Sequence, residues 1–109
     1  MDKATFAVSS AEAAFRTVAG VRGTRVGSIE PSYEAIELDY DPWKVSYDDL
    51  LEVFWAAHDP TRPGSAIFPH TVEQHLAAEA SRRRVEKQLG PVATEIVPAT
   101  GRFRCSAPS

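Results

Sequence analysis

Strand-like patterns occupy two neighbouring stretches of the chain, residues 21–29 and 34–40. In the second stretch, apolar residues recur at every other position from Ile36 to Tyr40, which is the period of a strand with one buried face. The turn-forming residues Glu30-Pro31-Ser32 lie between the two stretches, so the pattern predicts a β-hairpin. Three shorter apolar stretches predict further strands, at 5–8, 65–68 and 92–97.

Three other stretches begin with helix-capping residues and continue with apolar residues at helical spacing. Ser9 with Glu12, and Thr71 with Gln74, have the spacing of a capping box, in which two side chains accept backbone N–H groups reciprocally. Ser46 opens the helix between them. The expected apolar faces are Ala11, Ala14, Phe15 and Val18 in the first helix and Tyr47, Leu50, Leu51 and Phe54 in the second. The helices are expected to end at or just before residues that stop helices: Gly20, Pro60 and Gly90.

The predicted order of elements is βαββαβ followed by αβ. Its first six elements match the ferredoxin-like, or split βαβ, arrangement. The prediction is therefore an α+β open-faced sandwich, with a mainly antiparallel sheet and its helices on one face. No internal repeat, linker or low-complexity segment divides the chain, so we expect one domain over residues 1–98 and an irregular C-terminal tail over 99–109.

Composition narrows the classes of function. The chain has 109 residues, 43% of them apolar, and a net charge of −3, so neither a nucleic-acid surface nor a membrane patch is indicated. The basic run Arg82-Arg83-Arg84 falls inside a predicted helix and is interpreted as a solvated helix face. The N-terminus lacks the apolar segment of a signal peptide, and a single cysteine cannot close an internal disulfide. We therefore expect a cytoplasmic protein in a reducing compartment.

The sequence offers few groups for metal or redox chemistry. His58, His70 and His75 have no metal-ligand spacing, and packing or helix capping is the favoured role, so we expect no metal and no cofactor. Cys105 is interpreted as an inert surface thiol rather than a redox-sensitive one. Three carboxylates of the second hairpin strand are interpreted as a solvated strand edge rather than a cation site: Glu37, Asp39 and Asp41.

Five segments of the chain resemble, in order, pieces of one protein family. They read ATFAVSSAEAAFR at 4–16, EAIELDYDP at 34–42, VSYDDLLEVFWAAHDPT at 45–61, SAIF at 65–68 and TEIVPA at 94–99. On these segments, of which the third is the most specific, the chain is identified as a member of the MsrA-type peptide methionine sulfoxide reductases. The resemblance implies reduction of methionine sulfoxide to methionine.

The resemblance also implies a mechanism in which a thiolate attacks the sulfoxide sulfur, a buried glutamate protonates the departing oxygen, and a second cysteine recycles the first. It places Ser10 at the nucleophile position and Glu34 at the acid position. Ser28 stands where the family has a site tyrosine, and Arg62-Pro63-Gly64 replaces a longer loop with a site aspartate and tyrosine. The aromatic pair after the nucleophile and the C-terminal recycling region have no counterpart in this sequence.

These departures leave two interpretations of the chain. Ser9 and Ser10 are favoured as helix caps, because a hydroxyl without an adjacent base is a far weaker nucleophile than a thiolate. Glu34 shares the parity of Ile36, which directs its carboxylate toward the apolar side, but its place at the start of a strand also allows contact with water. The sequence favours a catalytically inactive relative that acts as a structural or protein/peptide-interaction module. The alternative is an active reductase with an atypical nucleophile.

Overall fold

The computed structural model describes residues 1–8, 12–29, 33–99 and 103–105. Ser9, Ser10 and Ala11, which were predicted to begin the first helix, lie outside these ranges. None of the described helices is long and apolar enough to cross a membrane. In chain order the elements are β1 (Asp2–Ala7), α1 (Glu12–Arg16), β2 (Val21–Ile29), β3 (Tyr33–Tyr40), α2 (Tyr47–Ala56), β4 (Ala66–Phe68), α3 (Val72–Leu89), β5 (Glu95–Ile96) and β6 (Arg104–Cys105).

The strands of the described chain form one sheet in the order β5-β4-β1-β3-β2-β6. Every pairing is antiparallel except that of β4 with β5, which is parallel. The predicted hairpin is confirmed, because β2 pairs with β3 from Gly23 opposite Asp39 to Ile29 opposite Tyr33. The protein therefore has the predicted α+β class with a mainly antiparallel sheet.

All three helices pack against the same face of the sheet. Phe6 of β1 lies in the centre of this face, where its ring stacks on Phe15 of α1 at 5.1 Å and on Phe54 of α2 at 5.2 Å between centroids. Ala78 of α3 belongs to the same buried cluster. Strand alternation explains the arrangement, because every second residue of β1 and β3 points toward the helices. These residues are Ala4 and Phe6 in β1 and Ile36, Leu38 and Tyr40 in β3.

The two longer helices begin at the predicted caps. At α2 both bonds of a capping box form, since Asp49 N donates to Ser46 Oγ at 3.0 Å and Ser46 N donates to Asp49 Oδ2 at 3.1 Å. At α3 only half of the predicted box forms: Gln74 N donates to Thr71 Oγ1, while Gln74 Oε1 accepts from His70 N at 2.9 Å. The Gln74 carboxamide takes this position because its Nε2 also donates to a carbonyl of β1 at 2.8 Å.

The first helix ends earlier than predicted, at Arg16 rather than at Gly20. Within α1 only Phe15 is buried, whereas Ala14, expected on the apolar face, is exposed. Val18 packs against the core from beyond the end of the helix. The chain then reverses at Gly20, which has φ of +98° as expected of a terminating glycine, and its carbonyl accepts from Asp41 N at 2.8 Å.

The C-terminal part of the chain departs most from the prediction. The strand predicted over 92–97 is limited to β5, because its strand partner among the described residues is the three-residue β4. Two residues of the predicted irregular tail form β6, which pairs with β2 at Gly27 and Ser28. Gly27 permits this approach, since a Cβ there would lie 2.2 Å from the carbonyl oxygen of Arg104.

The helix-free face of the sheet is covered in part. Ala99 and Phe103 from the C-terminal segment pack against a second buried cluster that includes Ile29 and Phe68. The segment is tied to the sheet by the Ala99 N–H, which donates to the Pro69 carbonyl at 2.9 Å. The predicted open face is therefore closed at this end by residues that the sequence pattern had left as tail.

Candidate functional site

Glu34, the predicted catalytic residue that the structure describes, belongs to the end of the sheet where β1 ends and β3 begins. Glu34 is the second residue of β3, and Ser10 follows β1 but lies outside the described residues. β1 and β3 are in register as far as Phe6 opposite Ile36. Two further steps along this antiparallel register bring Val8 opposite Glu34, so β1 delivers the chain to the start of β3.

Glu34 lies on the helix side of the sheet, as its parity with Ile36 predicted, but its side chain is exposed. The described part of α1 buries only Phe15. Of the two interpretations of Glu34, contact with water is the one found in the structure. The arrangement here is a solvated carboxyl rather than the buried one that the resemblance implies.

Two further polar residues continue from Glu34 across the sheet. Ser28 of β2 is paired with Glu34 of β3, and Arg104 of β6 is paired with Ser28. Ser28 and Arg104 are both exposed. Because directly paired residues of antiparallel strands point to the same side, all three side chains share the helix face. We call Glu34, Ser28 and Arg104 the terminal row. Cys105 is the next residue of β6, and its backbone pairs with Gly27.

The turn at Arg62-Pro63-Gly64 satisfies its own polar groups. Asp59 Oδ1 accepts hydrogen bonds from Thr61 N at 3.0 Å and from Thr61 Oγ1 at 2.6 Å, which lower the pKa of Asp59. Arg62 adds an ion pair to Asp59 at 3.6 Å, with its side chain 83% exposed. This part of the chain is a compact surface turn, whereas the resemblance implies a longer loop that carries site residues.

The histidines are separated and have structural partners. His58 Nδ1–H donates to the Phe54 carbonyl in the last turn of α2 at 2.8 Å, and burial lowers the pKa of His58, so the neutral ring is favoured. His70 Nε2 lies 2.8 Å from Thr5 Oγ1. Of the packing or capping role predicted for the histidines, His58 shows both, since its ring also packs against Phe54 at 4.7 Å between centroids. Across the part of the chain that the structure describes, no group of three or more histidine, cysteine or acidic side chains could hold a metal ion.

The carboxylates of β3 are held by an arginine. Arg25 donates to Glu37 at 2.9 Å and to Asp39 at 2.9 Å, and its hydrogen bond holds the pKa of Asp39 below the usual value. The Glu37 side chain is only 12% exposed, so the expected solvated edge is instead a paired and partly covered one. A guanidinium already occupies the place that a bound cation would take.

A cavity of about 610 Å³ lies at the opposite end of the sheet. The first turns of α2 and α3 line it, together with Asp2 of β1 and Tyr40 of β3. Gln74 closes its floor by donating to the Lys3 carbonyl at 2.8 Å and to the Tyr40 hydroxyl at 3.3 Å. Since β1 starts at this cavity and ends near Glu34, the cavity and the terminal row are separate features of the fold.

The model of the family described as peptide methionine sulfoxide reductase matches residues 4–106. The chain belongs to this family. A relative from Methanosarcina acetivorans named peptide methionine sulfoxide reductase MsrA is 40% identical, over 92% of this chain and 71% of that protein. A second, from Geobacter metallireducens and with the same name, is 38% identical over 92% of this chain and 82% of its own length.

Solved structures share the fold of this MsrA-family chain. Mxr1 from Saccharomyces cerevisiae in complex with Trx2 superposes with a TM-score of 0.86 at 22% identity, over 96% of this chain and 80% of that one. Methionine sulfoxide reductase A of Corynebacterium diphtheriae has a TM-score of 0.69 at 23% identity, over 95% and 68%. The alignment with the M. acetivorans relative is 133 positions long, more than the 109 residues of this chain, so the relative carries segments that this family member lacks.

Arg104 is the residue of this region that the sequence pattern missed. The tail was predicted to be irregular, and two residues cannot display the period of a strand. Gly27 was the available signal, because a glycine inside a strand often marks the close approach of another backbone. The structure places that backbone at β6.

Proposed function

We propose that this chain is a catalytically inactive member of the peptide methionine sulfoxide reductase family that acts as a structural or protein/peptide-interaction module. Ser10 carries the proposal, because it stands where the resemblance requires the nucleophilic cysteine. A cysteine titrates near pH ~8.5 and lower at a helix N-terminus. A hydroxyl titrates several units higher, and a helix dipole contributes at most roughly 2 kcal/mol. Neither helix capping nor the dipole can turn this serine into a comparable nucleophile.

The surroundings of Glu34 support the same proposal. A carboxyl that donates a proton at neutral pH is normally buried, and the carboxyl of Glu34 is exposed beside the exposed Ser28. The turn at Arg62-Pro63-Gly64 is closed by Asp59 rather than carrying site residues. The proposal therefore rests on several missing parts rather than on the serine alone.

A peptide or protein partner is the class of ligand that this proposal implies. One structural neighbour, Mxr1 from Saccharomyces cerevisiae, is described in complex with Trx2, so a protein docks on a molecule of this fold. The strand order β4-β1-β3-β2, antiparallel throughout, supports the ferredoxin-like description as part of the same proposal. The single cysteine of the chain supports a cytoplasmic location.

The decisive experiment is a reductase assay with a methionine S-sulfoxide peptide and dithiothreitol. We expect no turnover, because a serine and not an attacking thiol stands at the nucleophile position of the family. Cys105→Ser is the matched control, since it removes the one thiol of the chain. Methionine formation that survives Cys105→Ser would overturn the inactive assignment. Formation that disappears with Cys105→Ser would make Cys105 the nucleophile and support the alternative of an active reductase.

A second experiment restores the missing thiol. In Ser10→Cys, the resemblance places a cysteine before the first helix, where the thiolate is favoured. We expect alkylation to report a titration below that of an ordinary cysteine, yet single-turnover assays to form no methionine. The reason is that catalysis also needs the sulfoxide held in line, and small misplacements remove orders of magnitude of rate. Stoichiometric formation of methionine would show that the catalytic site lacked only the sulfur atom of its nucleophile, and it would contradict the proposal that several parts are missing.

A further inference from the structure

The three residues of the terminal row are exposed on a sheet face that the helices otherwise cover. Farther along β3 on this face, Ile36 and Leu38 are buried beneath the helices. Val26, next to Ser28 on the same side of β2, is 43% exposed. Within the described chain the row is therefore an open polar strip with an apolar border.

No member of the row has a side-chain partner among the residues that the structure describes. Within those residues, Glu34, Ser28 and Arg104 form no side-chain hydrogen bond or ion pair, although other charges nearby are paired. Glu12 of α1 is engaged by Arg16 at 2.8 Å and by Thr24 at 2.9 Å. Within the described residues, a ligand can therefore pair with the charges of the row without breaking an ion pair.

Arg104 is held in the row by the packing of β6. Phe103, its neighbour, is partly buried against the cluster on the opposite face of the sheet. Alternation then directs Arg104 to the helix face. Gly27 allows the close approach of β6, because any larger residue would meet the Arg104 carbonyl. The orientation of this side chain is fixed by two contacts outside the row.

The row has a defined spacing and polarity. Neighbouring strands lie about 4.8 Å apart, so the backbones of Glu34 and Arg104 are separated by about 10 Å with the Ser28 hydroxyl between them. We propose that the terminal row binds an extended peptide that carries a carboxylate and an ammonium group two residues apart. The proposal rests on the interaction-module function inferred above and names the chemistry of its partner.

The match follows from strand geometry and charge. Side chains two residues apart in an extended peptide point the same way and lie about 7 Å apart. The long Arg104 side chain spans the remaining distance, and its planar guanidinium can bind a carboxylate through two parallel hydrogen bonds. Glu34 faces the ammonium group, and Ser28 offers a hydroxyl to the peptide backbone between them.

The test is a chemical-shift titration of the 15N-labelled protein with acetyl-Gly-Asp-Gly-Lys-Gly-amide. We expect perturbations centred on Glu34, Ser28 and Arg104, and an affinity that falls as salt is added. The neutral peptide acetyl-Gly-Asn-Gly-Gln-Gly-amide should bind at least threefold more weakly. Equal affinity for the two peptides, or shifts centred elsewhere, would refute the proposal.

Charge reversal sharpens the test. Arg104→Glu gives the row two carboxylates, so its preference should switch to acetyl-Gly-Lys-Gly-Lys-Gly-amide. Arg22→Glu makes the same change in net charge at an exposed site where the side chain faces Asp41 instead, and it should keep the original preference. An unchanged preference in Arg104→Glu, or the same switch in Arg22→Glu, would exclude the row as the binding site.

A variant of Gly27 tests whether β6 positions Arg104 in the terminal row, without changing any charge. Gly27→Ala should displace β6. It should weaken binding of the Asp-Gly-Lys peptide by the same factor as removal of the Arg104 side chain. Circular dichroism should show that the domain is still folded. Unchanged binding with displaced β6 signals would contradict the role of Arg104. The reductase assay is run on the same sample. Turnover would defeat the inactive assignment, whereas no turnover together with no peptide preference would defeat only this inference.

Discussion

Tyr47 provides a test of how buried polar groups affect the stability of this protein. Its hydroxyl oxygen is buried and has no hydrogen-bond partner among the described residues, while its ring stacks on Phe6 at 6.0 Å. An unpaired buried hydroxyl costs about 1–3 kcal/mol. In Tyr47→Phe that cost disappears, and the void left by one oxygen, on the order of 15 Å³, costs about 0.4 kcal/mol at about 24 cal/mol per Å³. We expect Tyr47→Phe to raise the free energy of unfolding by about 0.6–2.6 kcal/mol.

Tyr47 should also affect the stability of the protein at high pH. Burial raises the pKa of the Tyr47 phenol above its usual value. Because the folded protein holds this proton more tightly than the unfolded chain, the stability is complete below pH ~10 and declines as the pH rises above it. At pH ~11 the advantage of Tyr47→Phe over the unchanged protein should have grown by about 1.4 kcal/mol.

Urea unfolding followed by circular dichroism at neutral and high pH measures both effects. Tyr33→Phe is the matched control, because the Tyr33 hydroxyl donates to Glu95 and its removal should lower stability by about 0.5–1.5 kcal/mol. If Tyr47→Phe destabilises the protein at neutral pH, the hydroxyl has a partner and the reasoning is wrong. If the free energy of unfolding of Tyr47→Phe depends on pH as that of the unchanged protein does, the argument from the raised pKa of Tyr47 is refuted.

Three further variants test separate contacts by the same unfolding measurement. Ser81→Ala leaves the Trp55 Nε1–H, which donates to Ser81 Oγ at 3.0 Å, without its acceptor and should cost about 1–3 kcal/mol; a loss below about 0.5 kcal/mol would mean that water replaces the hydroxyl. Gly20→Ala should cost at least about 1 kcal/mol, because φ is +98° and the new Cβ would lie 2.8 Å from Val45 Cγ1; a neutral effect would show that this turn can relax. Asp39→Asn should flatten the loss of stability in acid, because the pKa of Asp39 is lowered in the folded state and its contribution is present above pH ~4 and lost as the pH falls through the folded value. Parallel acid unfolding curves for Asp39→Asn and the unchanged protein would contradict that last prediction.

Local signals in the sequence predicted the central elements well. The start of α2 needed only Ser46 and Asp49, which bond to each other within one turn. The hairpin of β2 and β3 was visible because both strands are long enough to show a pattern. At the edges the signals failed, since the length of β5 is set by its partner β4 and the existence of β6 by the space above Gly27. These are properties of neighbours distant in sequence.

The sequence by itself determined that a hydroxyl, not a thiol, stands at Ser10, because folding does not change which functional group a side chain carries. It also determined which face of β3 carries Glu34, because parity along a strand is local. Only the tertiary structure decided that Glu34 is exposed, since exposure depends on which distant residues pack over the end of the sheet. Only pairing with β2 brought Arg104 into line with Ser28, because that contact joins residues 76 positions apart.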